Sequence, residues 1–196
     1  MSAPARELQV AEEQELFLLS QTDSLTGPLN RRALMEELER AIETTTRNRA
    51  SSAVLLLDRN NFKYVNDTQG HDAGDRVLKK FAAALCCATH SYDFVARLGG
   101  DEFVGCLENG EKETARCSAV AILASSLMLA EEVSLDPAKK NGLSIGIAIF
   151  NTDHSESAQE LMSRADDAMY HAKNNNKKNI AIARQKCGSR QESKKF

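Results

Sequence analysis

Apolar residues recur along the chain at two spacings, and each spacing predicts a different element. Leu34, Leu38, Ala41 and Ile42 fall three and four apart, which is the stripe of an amphipathic helix. That helix follows a breaker cluster, Asp23 or Ser24 with Thr26-Gly27-Pro28. Val54 to Leu57 is a short continuous apolar run after Ser51-Ser52, and reads as a buried strand with Asp58 at its end. Residues 73–90 return to helical spacing through Val77, Leu78, Phe81 and Leu85. Strict alternation then takes over, with Phe94, Ala96 and Leu98 upstream and Phe103, Gly105 and Leu107 downstream of Gly99-Gly100. Two glycines between alternating runs predict a tight hairpin, because both accept positive φ at little steric cost. Residues 111–134 form a helix rich in Ala and Leu. Leu143 to Phe150 is strand-like, and Gly146 within it allows a close neighbour. Residues 157–174 are helical, and Ile180 to Ala183 reads as a last strand.

Strands alternate with helices except where the hairpin joins two strands directly. That order predicts an α+β sandwich of the βαββαβ kind, a mixed sheet covered by helices. The domain is expected over residues 23–184. Before it, residues 1–22 read as an N-terminal helix or linker. Leu8, Ala11, Leu16, Leu18 and Leu19 fit a heptad poorly, so a short stalk or dimer-contact helix and a helix lying on its own domain fit equally. Residues 185–196 are polar and basic, a flexible tail.

At 196 residues and 42% hydrophobic, the chain has material for one domain with a real core. A net charge of −3 gives no positive field for nucleic acid or an anionic membrane, so a phosphorylated ligand needs local devices. No apolar run approaches the ~18–20 residues of a transmembrane helix. The N-terminus lacks a long apolar signal core, and the expected location is cytoplasmic. Five cysteines, an odd number without a Cys-x-x-Cys, suggest reduced and mostly buried thiols.

The candidate chemistry gathers around the strand ends. Asp101 and Glu102 sit at the hairpin tip, where adjacent like charges gain nothing from an ordinary turn. Asp58 ends the buried strand, and if the two strands are neighbours it meets Asp101 at one edge. With Mg²⁺ such a pair becomes a hard-oxygen site that also holds phosphates; without it, Asp58 is a strand-end cap and Asp101 a solvated turn residue. Alternation sends Asp101 and Glu102 to opposite faces unless the chain twists locally. Asn60-Asn61-Phe62-Lys63 is a loop opening into a helix, and the backbone N–H groups of Asn61 and Phe62 suit an anion. Lys63 is either a solvated lysine or the charge that offsets a phosphate. Asn66 and Asp75 flank a Gly-rich turn, Gly70-His71-Asp72-Ala73-Gly74. Asp75 also suits a helix N-terminus, and His71 either lines a pocket or bonds backbone. Lys173 lies at the end of the last helix, with Lys177 and Lys178 beyond, where cations complement its dipole.

Several of these segments together resemble the GGDEF family, the bacterial diguanylate cyclases. They are Asp23-Ser24-Leu25-Thr26-Gly27 with Asn30-Arg31-Arg32; Phe62 to Asp67 with Gly70-His71 and Gly74-Asp75; Arg97 to Phe103; Ser144 to Ala148; and Ala165 to Lys173. The resemblance implies a ferredoxin-like, palm-type fold and the condensation of two GTP into cyclic di-GMP with release of pyrophosphate, in a homodimer using Mg²⁺ (or Mn²⁺). It implies metal binding by Asp58, the Arg59 carbonyl, Asp101 and Glu102. Asp101 is expected to be ligand and proton acceptor, with Glu102 a second ligand or orienting group. Lys63 would stabilise the transition state. Asn61, Phe62, Lys173 and Lys177 would hold phosphates, and Asn66, Asp75 and His71 would form the guanine pocket. The alternative is a weak or inactive module that binds GTP or cyclic di-GMP as a regulatory or dimerisation domain.

The chain departs from the family pattern at several positions. Asn60 stands for a second Asp, Asn61 for an aromatic residue or His, Pro28 for Leu, Asn176 for Gly, and Lys177 for an arginine whose fork it lacks. His90-Ser91-Tyr92-Asp93 occupies a place where many members carry Arg-x-x-Asp, a product-binding inhibitory site. His90 in place of Arg predicts weak or absent feedback inhibition.

Overall fold

The computed structural model describes residues 17, 20–90, 93–108, 110–132, 142–152, 155–174 and 179–184. Most of the expected N-terminal helix, the basic tail, and Lys177 with Lys178 lie outside these residues. Ten elements follow in order: α1 (Arg31–Asn48), β1 (Ser51–Arg59), α2 (Phe62–Gln69), α3 (His71–Ala88), β2 (Phe94–Gly99), β3 (Glu102–Leu107), α4 (Lys112–Glu132), β4 (Leu143–Asn151), α5 (Ala158–Asn174) and β5 (Ile180–Ile182). The strands form one five-stranded sheet in the order β2-β3-β1-β4-β5. Neighbours are antiparallel except β4 and β5, which are parallel. This is the mixed α+β sheet that the element order predicts.

Helices cover both faces, which is why β1 is apolar without a break. On one face Ala53, Leu55 and Leu57 pack with Leu78, Phe81 and Leu85 of α3 and Ala115, Ala119 and Ile122 of α4. On the other, Val54 and Leu56 pack with Leu34 and Leu38 of α1 and Leu161, Ala165 and Met169 of α5. The two clusters interleave along β1 with the period of two that the pleat imposes. Gly146 sets how close α5 lies. A Cβ there would overlap the Ala165 carbonyl oxygen and the Met169 backbone nitrogen, so the helix backbone rests directly on β4.

Three expectations are corrected by the packing. The Gly-rich turn is narrower than the pattern suggests, because α3 already begins at His71 and Gly70 alone, at φ +84°, takes the turn. The strand at β1 runs from Ser51 to Arg59, its ends extended by ladder bonds on both sides. The thiols are mostly not buried: Cys86, Cys87 and Cys117 lie on the outer faces of α3 and α4, and Cys106 in β3 is buried. Burial pushes the Cys106 thiol up to about 12, so it behaves as a small apolar core residue. Among the described residues no helix is long and apolar enough to cross a membrane.

Candidate active site at the end of the sheet

Register brings the acidic residues together. Asp58 at the end of β1 pairs directly with Glu102 at the start of β3, so their side chains stand side by side on the face that α5 covers. Asp101 precedes Glu102 in the turn. The turn is made by Gly99 at φ +141° and Gly100 at φ +53°, conformations that favour glycine, and the β2–β3 register shifts between Arg97 and Gly99. Burial, then the charge of Asp58, raises the carboxyl of Asp101 above the usual carboxylate range. Burial also raises Glu102, reinforced by Asp58, Asp101 and Asp166.

Lys173, near the end of α5, answers this charge. Its Nζ donates to Asp58 Oδ1 at 2.8 Å and Oδ2 at 3.0 Å. Those bonds raise the lysine above its ordinary value. Asp58 is 7% exposed, so its carboxylate is buried and paired. Lys173 lies one turn beyond Met169, whose backbone meets Gly146; the glycine therefore places the lysine. Among the described residues no set of three or more His, Cys, Asp or Glu is gathered as a finished metal site. The donor chemistry nonetheless suits a hard divalent cation: Asp58, Asp101 and Glu102 supply oxygens that repel one another, and a displaceable ammonium holds the place of positive charge.

The segment expected to meet an anion follows β1 at once. Asn61 takes φ +61° and ψ +22° and turns the strand into α2. Asparagine tolerates this left-handed conformation better than the bulky residues expected there. Asn61→Gly should cost less than ~1 kcal/mol, and Asn61→Val about 1–2 kcal/mol, as read by urea denaturation. Lys63 projects from α2 and is exposed, Phe62 is half-buried beside Val65 and Val77, and His71 is exposed at the start of α3. The structure brings Asn66 to Gly74, where a Cβ would overlap the Asn66 side-chain oxygen and crowd Phe62. Asp75, one residue on, is half-buried. Asn66 and Asp75 thus sit at the contact between α2 and α3.

Two residues around the site had no role assigned from the pattern. Arg97 donates from Nε and Nη2 to the Gly100 carbonyl at 3.1 and 2.7 Å, and from Nη1 to Asp23 Oδ1 at 3.0 Å. The same Asp23 oxygen accepts from the Thr26 N–H and hydroxyl. One guanidinium therefore fastens the hairpin tip to the entry loop, and Leu29 pairs with the outer edge of β2 through Val95 and Arg97. An arginine just before Gly-Gly was the available signal. Asp166, on α5, adds a further carboxylate toward Glu102.

Fold and site together define a βαββαβ domain with an acidic, lysine-bridged sheet end. Residues 20–179 match the family model for the diguanylate cyclase GGDEF domain. The chain belongs to the GGDEF family. It is 38% identical over 159 residues to the bifunctional diguanylate cyclase/cyclic di-GMP phosphodiesterase MucR of Pseudomonas aeruginosa, covering 81% of this chain and 23% of that protein. It is 37% identical to the diguanylate cyclase DosC of Shigella sonnei, covering 82% and 34%. Among solved structures it resembles the coiled coil and GGDEF domain of DgcB from Caulobacter crescentus in complex with c-di-GMP, with TM-score 0.76 and 28% identity over 92% of this chain and 94% of that one. The chain spans 20–34% of the length of the first curated relatives it matches.

Proposed function

We propose that this domain condenses two GTP into cyclic di-GMP, releasing two pyrophosphates. The observation that carries the reading is the Asp58–Glu102 cross-strand pair with Asp101 beside it and Lys173 bonded to Asp58. Asp58, the Arg59 carbonyl, Asp101 and Glu102 are the groups that would hold magnesium or manganese. Bound there, such an ion activates a hydroxyl and neutralises phosphate charge. Asp101, half-buried at the tip, is placed to accept the 3′-hydroxyl proton as that oxygen attacks the α-phosphate of the facing nucleotide. Lys63 offsets charge on the phosphates. Lys173 exchanges Asp58 for a phosphate oxygen when nucleotide enters. Asp75 accepts from guanine N1–H and N2–H₂ while Asn66 supplies the complementary amide; adenine offers no such donor pair. One domain binds one GTP, so catalysis needs a two-fold dimer.

Product analysis tests the reading: the purified protein with GTP and Mg²⁺ should yield cyclic di-GMP and pyrophosphate, with a rate per molecule that rises with protein concentration. Chelating the cation should reduce turnover to background. Nucleotide binding without pyrophosphate release would assign a regulatory module instead.

We further infer that product inhibition at Asp93 is weak. Both its oxygens are committed, Oδ2 to the His90 N–H at 2.8 Å and Oδ1 to the Glu108 N–H at 3.1 Å, while the His90 side chain is exposed. Tight cyclic di-GMP binding that Asp93→Ala abolishes, with turnover retained, would refute this.

A further inference from the structure

Arg59 ends β1 and is 4% exposed, yet its guanidinium makes no hydrogen bond or ion pair with the described residues, and Nη1 is buried without a partner. An unpaired cation in such a place is costly, so its surroundings need an account. Its guanidinium carbon lies 5.2 Å from the centroid of Phe81, which holds the head group by a cation–π contact. Phe81 is itself fixed edge-on to Phe103, ring centroids 5.2 Å apart. Arg59 directly follows Asp58 and Asp101 directly precedes Glu102, so the two flank the same cross-strand pair. Asp101 is also the charge that acts on the guanidinium. The site therefore has a lysine bonded to Asp58 and, next along β1, a buried guanidinium on which the charge of Asp101 acts.

We propose that Arg59 is the resident counter-ion of Asp101: a positioning residue that holds the hairpin-tip carboxylate and lowers the affinity of the nucleotide-free site for a divalent cation. Resting on the reading above, this means that the ion arrives with the triphosphate, whose own charge outweighs the guanidinium. The permanent positive charge keeps the empty carboxylates from closing on an ion that has no substrate to act on.

The test is Mn²⁺ binding without nucleotide, by calorimetry, on the full chain. Arg59→Met fills the same apolar slot over Phe81 without charge and should tighten Mn²⁺ binding at least about tenfold, the effect expected of one charge removed several ångströms away. Arg59→Lys should stay near the wild-type value. In an Asp101→Asn background, where Asp58 and Glu102 still offer oxygens, the gain from Arg59→Met should shrink below about threefold, because the groups act as a pair. Arg59→Met with wild-type affinity, or with an undiminished gain in the Asp101→Asn background, overturns the proposal. Mn²⁺ binding in none of the proteins, even with GTP present, would overturn the cation reading itself.

Discussion

Asp101→Ala should lower cyclic di-GMP formation by about 10²–10³-fold or more, the loss typical of removing one group aimed at the reacting atoms. Rate of product formation at saturating GTP and Mg²⁺ measures it, and full turnover would exclude the assignment. The same carboxylate works against the fold when no cation is present. Burial and the charge of Asp58 raise Asp101, and burial with its acidic neighbours raises Glu102. A carboxyl raised on folding favours the folded state fully below its ordinary value, 3.8 for Asp101, and that contribution is lost as pH rises through the folded value. Cation-free protein should therefore lose stability as pH rises from the ordinary carboxylate value through the raised one. Mg²⁺ should restore it. Stability that does not fall over this range would show that Lys173 and Arg59 already compensate the carboxylate. Activity and stability pull apart at this position, as they do where an unliganded site stores repulsion.

Gly146→Val should destabilise the domain by about 3 kcal/mol or more, the upper end of overpacking costs. Its new side chain meets backbone of α5, at Ala165 and Met169, rather than the movable end of a side chain. Neither α5 nor β4 can give way cheaply, since β4 is paired on both sides by β1 and β5. Any variant that folds must lift α5 and carry Lys173 away from Asp58, so turnover should fall with stability. Urea denaturation with an activity assay checks both. Wild-type stability in Gly146→Ala would mean that α5 does not rest on β4.

Much of this was legible from spacing. The continuous run at Val54–Leu57, the alternation around Gly99-Gly100 and the stripe of α1 each named an element, because burial selects residue type with the period of the backbone. Gly146 carried a packing message as well, since only a missing Cβ lets a helix backbone touch a strand. Register was not legible. That Glu102, not Asp101, stands opposite Asp58 is set by the β1–β3 pairing, which a slip of one residue would change. The Arg97–Asp23 bond spans 74 residues, beyond any local pattern. The resemblance gave Arg59 only a backbone carbonyl role, and its side chain carried no signal. Its burial comes from Phe81, two helices further along, and no spacing records it.

Both rims of the sheet are blunt. Leu29 occupies the open side of β2, and β5 has three residues, so neither rim presents a long free ladder to another chain. Two copies meeting for a two-nucleotide reaction would do so through turns and side chains rather than by prolonging a common sheet. If the proposed two-nucleotide reaction holds, its rate follows how often two copies are held face to face.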